Sequence, residues 1–141
     1  MSRIVTLSDA ERIAAELVLP DKAFINGRFC TAKSGETLAT VNPANGRLLT
    51  HIPACDIRDV NAAVEGARVA FEAGSWSQAH PGERKAVLLK LAMLIERELE
   101  SLAVMESIDS GKPVSECLAV DVPETVHILK WHDEEIDKLY D

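Results

Sequence analysis

Apolar and polar positions alternate along this chain with three successive rhythms, and each rhythm predicts a kind of element. From Ser8 to Leu19 the apolar residues Ile13, Leu17 and Val18 recur at helical spacing, and Ser8-Asp9-Ala10-Glu11 reads as a capping box that opens a short helix. Pro20 stops it. At Ala23 the period changes to two: Phe24-Ile25-Asn26-Gly27-Arg28-Phe29 sets Asn-Gly between apolar flanks, the signature of a tight hairpin whose two turn positions need positive φ. A second hairpin is expected from Thr37–Val41 and Leu48–Ile52, joined by the turn formers Asn42-Pro43-Ala44-Asn45-Gly46.

After Pro53 the helical period returns. Asp56 is placed to cap a helix, Asp59 stands in its first turn, Val60, Ala63, Val64, Ala67 and Phe71 mark its apolar side, and Gly74 ends it. A longer helix is expected to start at Pro81 and to carry Leu88, Leu91, Ile95, Leu99, Leu102 and Met105 as far as Gly111-Lys112-Pro113. The final helical stretch has an expected break at Asp121-Val122-Pro123-Glu124, where Asp121 would cap a new helix and Glu124 close the box. Val126, Leu129, Ile136 and Tyr140 mark its inner face. The sequence therefore reads as α+β, mostly helical with two small hairpins: a leading helix in 1–22, then 23–141 with hairpins in 23–53 and helices in 56–140.

Composition narrows the function. At 141 residues and 15.4 kDa, with 47% hydrophobic and 27% charged residues, the chain has the size and balance of one globular unit. A net charge of −8 argues against a nucleic-acid binder, which needs a basic face. No run approaches the length that crosses a bilayer, and acids at Asp9 and Glu11 interrupt the start, so no membrane partner is expected and the cytoplasm is the expected location. Cys30, Cys55 and Cys117 are odd in number and far apart, which suits reduced thiols acting as small buried or half-buried hydrophobes. His127 and His132 are five apart, a spacing that puts them on different sides of a helix and unlike a chelating pair. The end, His132 to Asp141, sets five carboxylates against Lys138, half of the net charge, as either a solvated helix face or an acidic docking surface. Six aromatics are few for a self-contained core, and Leu88, Leu91, Leu94, Ile95 and Leu99 give their helix more than one apolar side, so self-association or poor stability is expected of the chain alone.

Five motifs occur in order: Phe24-Ile25-Asn26-Gly27, Thr40-Val41-Asn42-Pro43-Ala44-Asn45-Gly46, Ala70-Phe71 with Trp76, Glu83-Arg84-Lys85, and Asp109-Ser110-Gly111-Lys112-Pro113. In that order and spacing they resemble the amino-terminal part of the NAD(P)-dependent aldehyde dehydrogenases, from about Phe24 onward. The helix before Phe24, Gly74-Ser75-Trp76-Ser77, Arg84-Lys85-Ala86-Val87-Leu88, and Trp131 with Glu135-Ile136-Asp137-Lys138 look most like the γ-glutamyl-aminobutyraldehyde dehydrogenase branch, which acts in putrescine breakdown. The resemblance implies an α/β enzyme several times longer, of which this segment is an incomplete part of the cofactor-binding domain. NAD or NADP would be its cofactor and the remainder of the dehydrogenase chain its partner. The family's Gly-rich turn, general-base glutamate, oxyanion asparagine and nucleophilic cysteine come later in the enzyme, and neither Cys30 nor Cys117 stands in the family's cysteine motif. No catalytic or cofactor-binding residue is therefore assigned.

One family site does fall here. Many members hold sodium or potassium with main-chain carbonyls at the step before Asn-Pro and with the aspartate of Asp-x-Gly-Lys, which the resemblance carries onto Thr40, Val41 and Asp109. A hard cation takes such oxygen ligands. Read without the resemblance, Asp109 hydrogen-bonds its own turn and Thr40 is an ordinary strand residue. The sequence departs from the family at Trp131-His132-Asp133, where members run aromatic-Tyr-Ala, putting polar groups where ring surface is usual. Two functions are in play: an amino-terminal dehydrogenase segment that is catalytically silent alone, and a non-enzymatic helical binding or oligomerisation module.

Overall fold

A computed structural model describes residues 6–136 and 138. The chain divides into two compact units, one formed by Leu19–Ala79 and the other by the residues on either side of it.

In the Leu19–Ala79 unit, β1 (Ala23–Ile25) and β2 (Arg28–Cys30) pair antiparallel, Ala23 opposite Cys30 and Ile25 opposite Arg28. Asn26 and Gly27 take φ of 50° and 75° in the turn, which is why Asn-Gly stands there. β3 (Thr37–Val41) and β4 (Leu48–Pro53) form the second hairpin, with a register slip at the Thr40–Val41 step that leaves Leu49 as the extra residue. Asn42 and Asn45 close the connecting loop by accepting the amides of Ala44 and Arg47 at 2.9 and 3.0 Å. α2 (Ile57–Glu72) starts where expected: Asp56 accepts the Arg58 amide at 2.8 Å, and the Asp59 carboxylate returns a bond from the Asp56 amide at 3.1 Å. Gly66 on α2 lies so close to Asn26 that an added Cβ would sit 3.1 Å from the asparagine's own.

The other unit is helical. α1 spans Leu7–Glu16, and its capping box is formed by Thr6 and Asp9 rather than by Ser8 and Glu11. Thr6 is extended and lies two residues nearer the start, so the helix frame begins earlier and ends at Glu16; Leu17 is already extended and Val18 is 91% exposed. α3 (Pro81–Arg97) is capped by His80, whose Nδ1 accepts the Gly82 amide at 3.2 Å. The single long helix expected from Pro81 is two, because Glu98 (φ −98°, ψ 15°) breaks it before α4 (Leu99–Ser110). The apolar rhythm runs through the break because Ile95, Leu99 and Leu102 all pack on one cluster, Ala103, Cys117 and Val122.

The expected break at Asp121 is absent. α5 (Val114–Glu116) passes through a π-helical turn, Cys117–Asp121, directly into α6 (Val122–Glu135), and Asp121 is helical with no side-chain cap. Pro123 lacks an amide to donate, and the widened turn just before it accommodates that loss. On α6, Val126 is buried and Leu129 and Ile136 are half-buried, as their spacing implied; Tyr140 lies outside the described residues. Of the acidic end, Glu134 is exposed but Asp133 is 2% exposed, so the stretch is not simply a solvated face. Trp131 and His132 meet edge to face at 4.9 Å, both exposed. Among the described residues no helix is long and apolar enough to cross a membrane.

Candidate functional site

The cysteines test for a nucleophile. Cys30 is half-buried, its Sγ donating to the Ala23 carbonyl at 3.6 Å; Cys117 is buried in the helical cluster. Cys55 is exposed, against the expectation that all three would be at least half-buried, because it sits in the short link between Pro53 and the Asp56 cap, where no element covers it. Its thiol is pushed up by loss of water around the sulfur and then by the charge of Asp59. Burial and a hydrogen bond to Asp121 push the Cys117 thiol up as well. A nucleophilic cysteine needs the opposite, a stabilised thiolate.

Asp59 organises the Leu19–Ala79 unit. It is 3% exposed, and besides the Asp56 amide it accepts the Lys33 amide at 3.1 and 3.3 Å, tying the chain after β2 to the start of α2. Beside it a cavity of about 350 Å³ lies between the first hairpin and α2, bordered by Asn26, Arg28, Cys30, Lys33 and Glu65. At the α2 cap, the Arg58 guanidinium reaches both oxygens of Asp56 (2.6–3.2 Å) and holds its carboxyl down at about 2.

Of the three residues carried over for a cation, Thr40 and Val41 lie in the Leu19–Ala79 unit and Asp109 in the helical unit. Thr40 and Val41 flank the slip in the β3–β4 ladder, a step at which regular pairing is interrupted. Asp109, near the end of α4, is exposed and accepts no hydrogen bond among the described residues. Its turn is held instead by Ser107, which donates to the Lys112 carbonyl at 2.7 Å, and by Ser110, which donates to the Glu106 carbonyl at 2.7 Å and accepts the Lys112 amide at 3.2 Å. Two serines thus hold this turn, without a hydrogen bond from Asp109 among the described residues. A hard cation takes carboxylate and main-chain carbonyl oxygens; Asp109 belongs to one unit and Thr40 and Val41 to the other. Among the described residues no three His, Cys, Asp or Glu side chains gather as a metal cluster.

The profile of the aldehyde dehydrogenase family matches residues 29–141. The chain belongs to that family. An aminoacetaldehyde dehydrogenase of Pseudomonas aeruginosa is 52% identical over the whole chain, which covers 28% of that enzyme. An NADP/NAD-dependent aldehyde dehydrogenase of Escherichia coli is 40% identical over 90% of the chain, covering 26% of it. Among solved structures, an indole-3-acetaldehyde dehydrogenase complexed with NAD+ superposes with a TM-score of 0.94 at 44% identity, over 97% of this chain and 28% of that one. A γ-glutamyl-γ-aminobutyraldehyde dehydrogenase from Burkholderia cenocepacia gives 0.93 at 42%, over 96% and 27%. The chain spans little more than a quarter of these relatives and corresponds to an amino-terminal aldehyde dehydrogenase segment.

Proposed function

We propose that this aldehyde dehydrogenase segment serves an enzyme that oxidises an aldehyde to a carboxylic acid with NAD or NADP, in the cytoplasm, and that the segment is catalytically silent alone. The observation that carries the reading is the agreement of 97% of the chain, at a TM-score of 0.94, with part of an enzyme that binds NAD+. The chemistry asks for a thiolate to attack the carbonyl, donors for the oxyanion and a nicotinamide to take hydride. Cys55 and Cys117 are both pushed away from the thiolate form, which supports a nucleophile supplied by another part of the enzyme. This segment's own part is support. Phe24, Phe29, Ile57, Val64 and Phe71 are each more than half exposed, apolar surface that the remainder of the dehydrogenase, or a second copy, would cover.

Relatives named for aminoacetaldehyde and for γ-glutamyl-γ-aminobutyraldehyde favour an amine-derived aldehyde as substrate. Thr40, Val41 and Asp109 are the residues that would offer oxygen to sodium or potassium, which when bound would neutralise the Asp109 carboxylate.

The test is to recover the native protein from its source cells with an antibody against this segment, measure its mass, and assay NAD(P) reduction with amine-derived aldehydes. A species several times 15.4 kDa that reduces NAD(P), beside an inactive isolated segment, is expected. A free 15.4 kDa protein without activity would overturn the reading in favour of a binding module.

A further inference from the structure

Cys30 and Cys55 belong to one compact unit and are brought together by the acid that organises it. Cys30 closes β2, opposite Ala23, and Cys55 stands in the link just before the Asp56 cap. The amides of Lys33 and Asp56 both donate to one oxygen, Asp59 Oδ2, at 3.3 and 3.1 Å, so the chain just after Cys30 meets the chain just after Cys55 at a single atom. The link is fixed from its other side as well: the Ala54 amide donates to the Glu36 carbonyl at 2.9 Å, and Ser34 Oγ donates to the Ala54 carbonyl at 3.4 Å. The electrostatics of the thiols agree. Loss of water around the sulfur pushes Cys55 up first and the Asp59 charge second, and a charge on Cys30 comes next, ahead of the adjoining Asp56. The two sulfurs thus lie within each other's field, one exposed and the other half-buried beside the cavity at the first hairpin. Cys117 differs on each point, being buried in the helical cluster of the other unit.

We propose that Cys30 and Cys55 form a reversible modification site, at which a small-molecule disulfide such as oxidised glutathione is reduced while the two thiols join. Exposed Cys55 reacts first: its thiolate attacks one sulfur of the reagent, a bond from Cys55 to glutathione forms, and the departing glutathione takes up the proton that Cys55 lost. Cys30 then attacks the Cys55 sulfur, and the second glutathione leaves with the Cys30 proton. Two thiols lose two electrons, one disulfide gains them, and no net proton is released. The small thiolate fraction of Cys55 makes the first step slow, whereas the second is intramolecular. In a reducing cytoplasm the pair rests as thiols, and it closes when the disulfide share of the thiol pool rises. Closure ties the end of β2 to the start of α2 in the unit where Ala32 is the one buried apolar residue among those described, and a covalent link there restricts the unfolded chain. None of this depends on the dehydrogenase reading.

The test treats the full chain with oxidised glutathione under native conditions, quenches with iodoacetamide, and follows intact mass and disulfide-linked peptides. The wild type is expected to lose two hydrogens, to yield a peptide pair joined through Cys30 and Cys55, and to return to two thiols with dithiothreitol. Cys30→Ser is expected to stop with one glutathione on Cys55, and Cys55→Ser to react at least about tenfold more slowly than the wild type. On closure, amide exchange across 19–79 is expected to slow at least about threefold while α3, α4 and α6 stay unchanged. A wild type that stays unreacted, or that stops at the glutathione adduct, overturns the proposal. So does a wild type in which either cysteine joins Cys117 or a second chain as readily as it joins its neighbour.

Discussion

The two units of this chain are held together by different means. In the helical unit, Ala10, Ala92, Ala103, Val104, Cys117, Val122 and Val126 are buried, so the interior is mostly apolar and made of small side chains, with Asp133 as the one buried charged residue of this unit among those described. In the Leu19–Ala79 unit, Ala32 is the one buried apolar residue among those described, and the best-buried functional group is a carboxylate, Asp59. The first is a packed core; the second is a hydrogen-bonded hub with its apolar side chains facing outward. That difference fits a segment whose hairpin unit obtains its cover from the rest of an enzyme.

If Asp59 is the hub, its removal should be the most damaging single change. Asp59→Ala strands the Lys33 and Asp56 amides, and a loss of about 3 kcal/mol is expected. Amide hydrogen exchange should accelerate through 19–79 and stay unchanged in α3, α4 and α6. Equal acceleration in both would erase the distinction between them. Asp59→Asn, which keeps an acceptor, should recover part of the loss.

The converse change is in the packed core. Val104 is 2% exposed, and Val104→Ala removes two methyl groups and leaves a small void, a cost of roughly 2 kcal/mol. The urea midpoint of the helical unit should fall while exchange in the Leu19–Ala79 unit stays as it was. A cost under about 0.5 kcal/mol would mean that the helical core is loosely packed.

Acid should divide the contributions further. The Asp56 carboxyl is held at about 2 in the fold, below its unfolded value, so its pairing with Arg58 stabilises the unit above about pH 4 and is lost as the pH falls toward 2. Asp56→Asn keeps a capping oxygen but has no charge to lose. Exchange rates in 57–60 should therefore rise less steeply between pH 4 and 2 in Asp56→Asn than in the wild type; identical slopes would remove Asp56 from the acid response.

Much of this was legible in the residues, and the exceptions are physical. Both hairpins and the α2 start follow from local chemistry: Asn26-Gly27 needs positive φ, and Asp56 and Asp59 close a capping box between neighbours. The break at Glu98 was hidden because both flanking helices serve one apolar cluster, so periodicity alone does not register a change of direction. At Asp121 the local signal was real but outweighed, since Lys112, nine residues earlier, engages the carboxylate that would have capped. Asp59 was legible as a first-turn acid, whereas its bond to Lys33 is a tertiary contact across 26 residues that no local pattern announces. The family was readable from five motifs; the openness of Asp109 was not, because it depends on which of several nearby hydroxyls closes the turn.

The smallest expected effect concerns the charged contact between α3 and α6. Lys130 Nζ reaches Glu96 at 2.6 Å, but the two side chains are 44% and 46% exposed, so water competes for both charges and ordering two long side chains offsets the attraction. Lys130→Met should change stability by less than about 0.5 kcal/mol, and the change should not depend on salt. A loss above about 1 kcal/mol that fades in about 0.5 M salt would show that charge, and not only the packing around Val122 and Val126, joins these helices. The helical unit would then share the polar reliance that sets the hairpin unit apart.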